Sequence, residues 1–290
     1  MRGTPAGSPP RAAATVTLCD ARAEADFARD GYAVVGLLSP AELDRLQAAF
    51  ARHAVLHEGP FAASLLIPDA AARGAVHHAV QAVLAPALAR VLAGYRSVFC
   101  GFAVKAPCTD GGEMPLHQDI SFSRPEGRPA VSVWAPLVDV SGLNGCLVLV
   151  PGSHRVNTGA RAPGSTPAAD SLQAYAQAGL LRELPMRRGE AVVMDQRLLH
   201  ASPGNRSQAV RAVATAVAVP AEEGLRYYHR SVVDGVALLE GFAVEDNFHL
   251  GHPLGSRPAR GARLGVAPER VDFIHPRTLA PRPGSACAVP

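Results

Sequence analysis

The chain has 290 residues, enough for one large domain or two small ones with a core that needs no disulfide or metal staple. With 48% hydrophobic, 18% charged and 5% aromatic residues, its composition is that of a folded globular protein and excludes bulk disorder. The net charge of +3 comes from 28 basic and 25 acidic residues scattered along the chain, so there is no basic tract to bind a polyanion and nucleic acid is not an expected partner.

Residues 1–17 are expected to be a disordered tail, and 18–290 a single domain. The start lacks a signal-peptide hydrophobic stretch, and no apolar run approaches the roughly 18 residues of a bilayer span, which points to a cytoplasmic protein without a membrane partner. Tyr32-Ala-Val-Val35 reads as the first folded element, a short strand after Gly31. Ser39-Pro-Ala-Glu42 then carries a cap, a first-turn proline and the acidic half of a capping box. A helix should follow, with Leu43, Leu46, Phe50 and Ala54 at helical spacing. A second helix is expected over 69–92, its apolar side built from Val76, Val80, Val83, Leu84, Leu88 and Val91, with Pro86 placed to kink or split it.

Beyond residue 95 short β-rich runs separated by Gly, Pro and Asn replace the helical periods. The clearest pair, 131–138 and 146–150, is joined through Asn144-Gly145 and reads as a type I′ hairpin. Further strands are expected at 190–194 and 209–219. Helices followed by many short antiparallel strands define an α+β chain with a mainly β core, a sandwich or barrel. Segments 156–188 and 222–260 read as long excursions carrying the substrate determinants. Cys19, Cys100, Cys108, Cys146 and Cys287 are odd in number and lack CxxC spacing, so free thiols are expected.

In Leu116-His-Gln-Asp119, His117 and Asp119 are two residues apart, and on a strand both project from one face, where they could share a metal. The pair alone is a weak signal. His200, at the end of an expected strand and followed by Ala-Ser, is the best third ligand. Two imidazoles and a carboxylate leaving three open positions suit ferrous iron that must also take a co-substrate and dioxygen. Arg211 falls on the same strand face as Val213, Thr215 and Val217, a costly place for an unpaired guanidinium. It asks for a buried carboxylate, which its planar fork can hold bidentately; the C5 carboxylate of 2-oxoglutarate would serve.

The sequence resembles the phytanoyl-CoA dioxygenase family of Fe(II)- and 2-oxoglutarate-dependent oxygenases from about Phe27 to Val219. The likeness is carried by 27–35, Leu116-His-Gln-Asp119, Trp134-Ala-Pro-Leu-Val-Asp139, the segment Asn144 to His154, and His200 followed eleven residues later by Arg211. It implies a double-stranded β-helix (a cupin-like jelly roll) flanked by N-terminal helices. It also implies metal ligands at His117, Asp119 and His200, with Arg211, Ser202 and Trp134 on 2-oxoglutarate. The activity implied is a dioxygenase using Fe(II), 2-oxoglutarate and O2 to hydroxylate an unactivated C–H bond of a small molecule, with a bacterial natural-product or amino-acid-like intermediate favoured. Related halogenases replace the carboxylate ligand by a small residue, and Asp119 argues against that outcome.

Three other readings compete with the hydroxylase. The same iron centre could desaturate, epoxidise or cyclise; the fold could be a catalytically silent binding module; or a zinc cupin could hydrolyse or isomerise. Arg211 argues against the last two, since neither needs a carboxylate clamp beyond the third ligand. Lys105, the only lysine among 28 basic residues, is a candidate substrate contact, as are Met114 and Phe122 beside the metal motif. Tyr227, Tyr228, His229, Phe242 and Phe248 are further pocket candidates, with ordinary core packing the competing reading. His154 reads as a turn residue, and His53 with His57 as a helix surface rather than a zinc pair.

Overall fold

The computed structural model describes residues 16–53, 59–108 and 111–279. Its first regular element is a helix, α1 (Ala21–Asp30), and not the strand expected at Tyr32. Asp20 caps it by accepting the Ala23 N–H at 2.8 Å, and Gly31 closes it in the left-handed region at φ +85°. Only Ala23 and Phe27 of this helix are buried, a short apolar side on a helix rich in charged residues. A side chain at Gly31 is excluded twice over, by its φ and because a Cβ there would lie 2.4 Å from His154 Nδ1. Ahead of the helix, the N–H groups of Thr17 and Leu18 both donate to Glu24 Oε2, at 3.0 and 2.8 Å. The rest of the expected tail, like His57 and Cys287, lies outside the described residues; the other four cysteines are free thiols.

The next two helices follow their sequence signals. In α2 (Pro40–Ala51) Ser39 and Glu42 complete the capping box. In α3 (Ala70–Leu88) the residues Val76, Val80, Val83, Leu84 and Leu88 are buried, and the helix runs unbroken through Pro86. No helix among the described residues is long and apolar enough to cross a membrane.

Among the described residues there are thirteen strands, in chain order β1 (Tyr32–Gly36), β2 (Phe61–Ala63), β3 (Tyr95–Lys105), β4 (Met114–His117), β5 (Val131–Pro136), β6 (Leu147–Leu149), β7 (Arg182–Leu184), β8 (Glu190–Asp195), β9 (His200–Ser202), β10 (Arg211–Pro220), β11 (Arg226–Val233), β12 (Val236–Ala243) and β13 (Ala262–Pro268). A six-stranded sheet has the order β1-β8-β5-β10-β3-β2 and a four-stranded sheet the order β4-β9-β6-β7, with all pairings antiparallel. On β10, Ala212, Ala214, Ala216 and Ala218 pack towards the helices, in one cluster with Val76, Val80 and Leu84. The alternate face turns inward: Val213 joins Trp134, Val192 and Met194 of the larger sheet against Leu147, Leu149 and Leu184 of the smaller one. This two-sheet architecture is the expected jelly roll.

The expected hairpin does not form. β5 pairs with β8 and β10, whereas β6 pairs with β7 and β9 in the other sheet. A reversal is present, with the Cys146 N–H on Ser141 O at 3.0 Å, but only Gly145 and not Asn144 has a positive φ, so it is not the type I′ turn, and the chain uses it to cross between sheets. Every residue of β5 and β6 is buried, so partner choice is set by burial on both faces and not by nearness in sequence. Segment 156–188 supplies a short helix, α4 (Leu172–Gln177), and β7, an edge strand of the smaller sheet. Segment 222–260 folds into β11, β12 and a one-turn helix, α5 (Phe248–Gly251), and with β13 makes a third sheet of order β11-β12-β13.

Candidate active site

β4 ends at His117 and β9 begins at His200, and the register places the two residues directly opposite each other across the smaller sheet. Their rings lie 4.1 Å apart. Asp119 follows just beyond β4, where its N–H donates to Gln196 O at 3.0 Å. Its Oδ1 lies 3.7 Å from His117 Nε2 and 3.7 Å from His200 Nε2. Among the described residues this is the one cluster of three such side chains whose ligand atoms all lie within 4.8 Å of one another.

Contacts behind the cluster aim each ligand atom. His117 Nδ1 faces Pro115 O at 2.8 Å and His200 Nδ1 faces Leu198 O at 3.0 Å, which puts the proton on Nδ1 and the Nε2 lone pair towards the centre. Ser132 Oγ donates to Asp119 Oδ2 at 2.5 Å, leaving Oδ1 for a cation. Arg161 Nε donates to Asp119 O at 2.7 Å and fixes the turn. Burial, followed by the charge on His117, pushes His200 down to about 4. Burial alone would raise the Asp119 carboxyl, but His200 and His117 outweigh it and hold it far below the usual carboxylate range. For His117 the balance is reversed: burial lowers its pKa, and the hydrogen bond and charge of Asp119 more than offset this, leaving it raised.

On the facing sheet, Arg211 opens β10, is 2% exposed and pairs in register with Lys105 of β3. Its guanidinium carbon lies 5.4 Å from the centre of the Trp134 ring, and its NH1 reaches Ala103 O at 3.4 Å. Its Nε has no partner, no carboxylate among the described residues lies within ion-pair distance, and burial lowers its pKa to about 10. Lys105, 1% exposed, donates to Ser202 O at 2.8 Å, to Ser202 Oγ at 2.5 Å and to Pro203 O. All three ammonium protons are therefore engaged on the turn after β9, and burial with the Arg211 charge pushes this lysine down to about 7. Ser202 Oγ passes its own proton to Gly145 O at 3.2 Å.

Asp119 and His200 open onto a cavity of about 200 Å³ lined by Leu65, Phe99, Phe102, Ile120, Phe122, Trp134 and Val217, with Ser64, Ser132, Gln196 and Thr215 as its polar members. Of the expected substrate contacts, Phe122 is in this lining and Met114 and Lys105 are not. Tyr227 and Phe248 pack with their rings tilted by 57° and 5.2 Å apart, and Tyr228 borders a separate cavity of about 620 Å³ beside the third sheet. His154 is buried in a single turn after β6, against Gly31. Sequence reasoning missed Ser132, Arg161 and Gln196. Ser132 shares the inward face of its strand with Trp134, two residues on, and that was the available signal; Arg161 reaches its partner across 42 residues with no local pattern to reveal it.

The donor set suits iron. Two imidazole nitrogens and one carboxylate oxygen on one side, with an apolar cavity on the other, leave positions free in a six-coordinate ferrous shell. The guanidinium with an orphaned nitrogen supplies the counter-charge that a dicarboxylate co-substrate requires. A jelly roll holding this combination defines the non-haem iron and 2-oxoglutarate oxygenase class. Residues 27–213 match the family model described as phytanoyl-CoA dioxygenase (PhyH), and the chain belongs to that family.

Among curated relatives, the chain is 36% identical over 115 residues to phytanoyl-CoA dioxygenase domain-containing protein 1 of Danio rerio, a stretch covering 36% of this chain and 38% of that protein. Among solved structures, AviO1 from Streptomyces viridochromogenes Tue57 superposes with a TM-score of 0.50 at 26% identity, over 72% of this chain and 98% of that one. The epimerase SnoN, solved in complex with Fe3+, alpha ketoglutarate and nogalamycin RO, superposes with a TM-score of 0.50 at 23% identity over 84% of this chain and 94% of that one, a likeness of fold.

Proposed function

We propose that this protein is an Fe(II)- and 2-oxoglutarate-dependent dioxygenase that hydroxylates an unactivated C–H bond of a small molecule, such as an intermediate of bacterial natural-product or amino-acid metabolism. The observation that carries the reading is the buried, unpaired Arg211 across the interior from a three-ligand cluster. A binding module or a zinc hydrolase has no use for that guanidinium. In this reading His117 Nε2, Asp119 Oδ1 and His200 Nε2 hold the iron, and Arg211 holds the distal carboxylate of 2-oxoglutarate, with the Trp134 ring alongside. Ser202 takes part through its place beside Lys105, which keeps the turn after β9 closed. When bound, the iron and 2-oxoglutarate supply dioxygen activation coupled to decarboxylation of the co-substrate.

The chain's own contribution is positioning and exclusion of water. Ser132 and Arg161 fix the angle of Asp119, and the aromatic wall of Phe99, Phe102 and Phe122 keeps the cavity dry. No lysine or arginine lines this cavity, which supports an uncharged reacting portion of the substrate. We place the protein in the cytoplasm, as a single domain over 18–290, with no nucleic-acid or membrane partner. The test is an anaerobic titration of metal-free protein with Fe(II) and then 2-oxoglutarate, following the visible charge-transfer band of a chelated 2-oxo acid. The band should form in the native protein and be absent in His200→Ala. Its absence from the native protein overturns the reading; its presence opens a substrate screen by succinate release, with product analysis separating hydroxylation from desaturation, epoxidation or cyclisation.

A further inference from the structure

Gln196 follows directly after β8, is 3% exposed and lines the cavity onto which Asp119 and His200 open. Its backbone carbonyl accepts the Asp119 N–H, and its side-chain Nε2 donates to Ser132 Oγ at 3.5 Å. Ser132 has one hydroxyl proton, and it goes to Asp119 Oδ2 at 2.5 Å. Towards Gln196 that hydroxyl can therefore only accept. The amide is thereby held with its nitrogen facing Ser132 and its oxygen turned away, an assignment fixed by the network and not by the shape of the side chain.

That oxygen, Oε1, has no partner in the protein. Five buried side-chain polar atoms among the described residues are orphaned in this way, and it alone belongs to a residue lining the iron-facing cavity. Of the other polar members of the cavity, the Ser64 hydroxyl is already engaged with the Phe102 N–H and carbonyl at 2.7 and 3.2 Å. A buried acceptor left unpaired lowers stability, a cost offset when a ligand brings the missing donor.

We propose that Gln196 Oε1 is the substrate-recognition acceptor of this site, and that the substrate presents a hydroxyl or neutral N–H on an otherwise apolar, uncharged frame. The inference rests on the oxygenase reading for what the substrate undergoes, and on the cavity alone for how it is recognised. A donor bound at Gln196 is anchored beside the residue whose carbonyl holds Asp119, so the carbon presented for oxidation is one near that hydroxyl or N–H.

The test uses two ring probes of similar size, cyclohexanol, which can donate, and cyclohexanone, which cannot. Anaerobic protein supplied with Fe(II) and 2-oxoglutarate is titrated with each, following the emission of Trp134, the chain's one tryptophan and itself part of the cavity wall. The alcohol should bind about fivefold to tenfold more tightly than the ketone. In Gln196→Leu the ratio should fall to about one while the charge-transfer band is retained, and Gln196→Met is the second variant should the first fail to fold. Equal affinities in the native protein, no binding of the alcohol, or a preference that survives in a folded variant overturns the proposal. Oε1 would then face the cavity of about 20 Å³ that Gln196 also lines with Ser123 and Arg161, a space for a single water. Failure of the charge-transfer band would sink the oxygenase reading separately, because the alcohol preference needs only the cavity.

Discussion

A guanidinium buried at the start of a strand is costly unless something anionic pairs with it. Replacing Arg211 by Ala should therefore weaken 2-oxoglutarate binding by about two orders of magnitude, the worth of a bidentate charged contact, while leaving Fe(II) affinity within about threefold. Calorimetry under nitrogen would measure both, and an unchanged 2-oxoglutarate affinity refutes the assignment. Protons act on the other half of the site. A metal binds only neutral imidazole, so Fe(II) affinity should climb with pH through the raised pKa of His117 and level off above it. His200, neutral down to about 4, should add nothing in the neutral range. Competition titrations with a metal indicator across about pH 5 to 8 would read the slope, and a flat profile would mean that His117 is not a ligand. His117, Asp119, His200 and Arg211 were legible because period-two spacing and the oddity of a charge on an apolar face are sequence properties. Arg161 and Gln196 were not, because neither shares a spacing pattern with the residue it touches.

Short elements with local chemistry were easy to read, as the capping box at Ser39-Pro-Ala-Glu42 illustrates. The structure adds what no local pattern could, that Arg90, two residues beyond the end of α3, reaches Glu42 at 3.0 Å and ties that end to the start of α2. Hydrogen bonds from Arg90, then from Ser39, push the Glu42 carboxyl from its ordinary 4.5 down to about 2. A carboxyl with a depressed native pKa contributes stability that is complete above its unfolded value and lost as pH falls through its folded one. Glu42→Gln should cost about 1–2 kcal/mol at neutral pH. The difference from the native protein should shrink as pH falls from about 4.5 towards about 2, as thermal melts at stepped pH would record. The helix α1 was illegible for the opposite reason, since its two end signals flank a segment with only two buried residues. Asn144-Gly145 marks a reversal but neither a type I′ turn nor a hairpin, because a turn fixes direction and leaves the choice of partner to burial.

At the scale of the whole molecule, the family resemblance supplied the jelly roll, and nothing in strand periodicity could have sorted ten strands into two sheets. Ligands that bind only the native state stabilise it by mass action, about 2.7 kcal/mol at a hundredfold excess over the dissociation constant. Fe(II) and 2-oxoglutarate added in turn should each raise the melting temperature by several degrees. In Arg211→Ala the first increment should survive and the second disappear, a pattern readable by scanning fluorimetry without any substrate. If both increments were lost, Arg211 would be a structural residue of the fold.

His117 and His200 ride on the smaller sheet, while Arg211 rides on the larger, with Trp134, Val213, Met194 and Leu149 packed between them. Under the proposed function, the span a bridging co-substrate must cover is set by the thickness of an oily filling, and the protein would work as a caliper whose jaws are its two sheets. Interiors packed at crystal-like density transmit changes of even one methylene group. A conservative exchange in that filling, such as Leu149→Val, alters the opening of the jaws, and co-substrate affinity registers the change while the ligands and the clamp remain untouched.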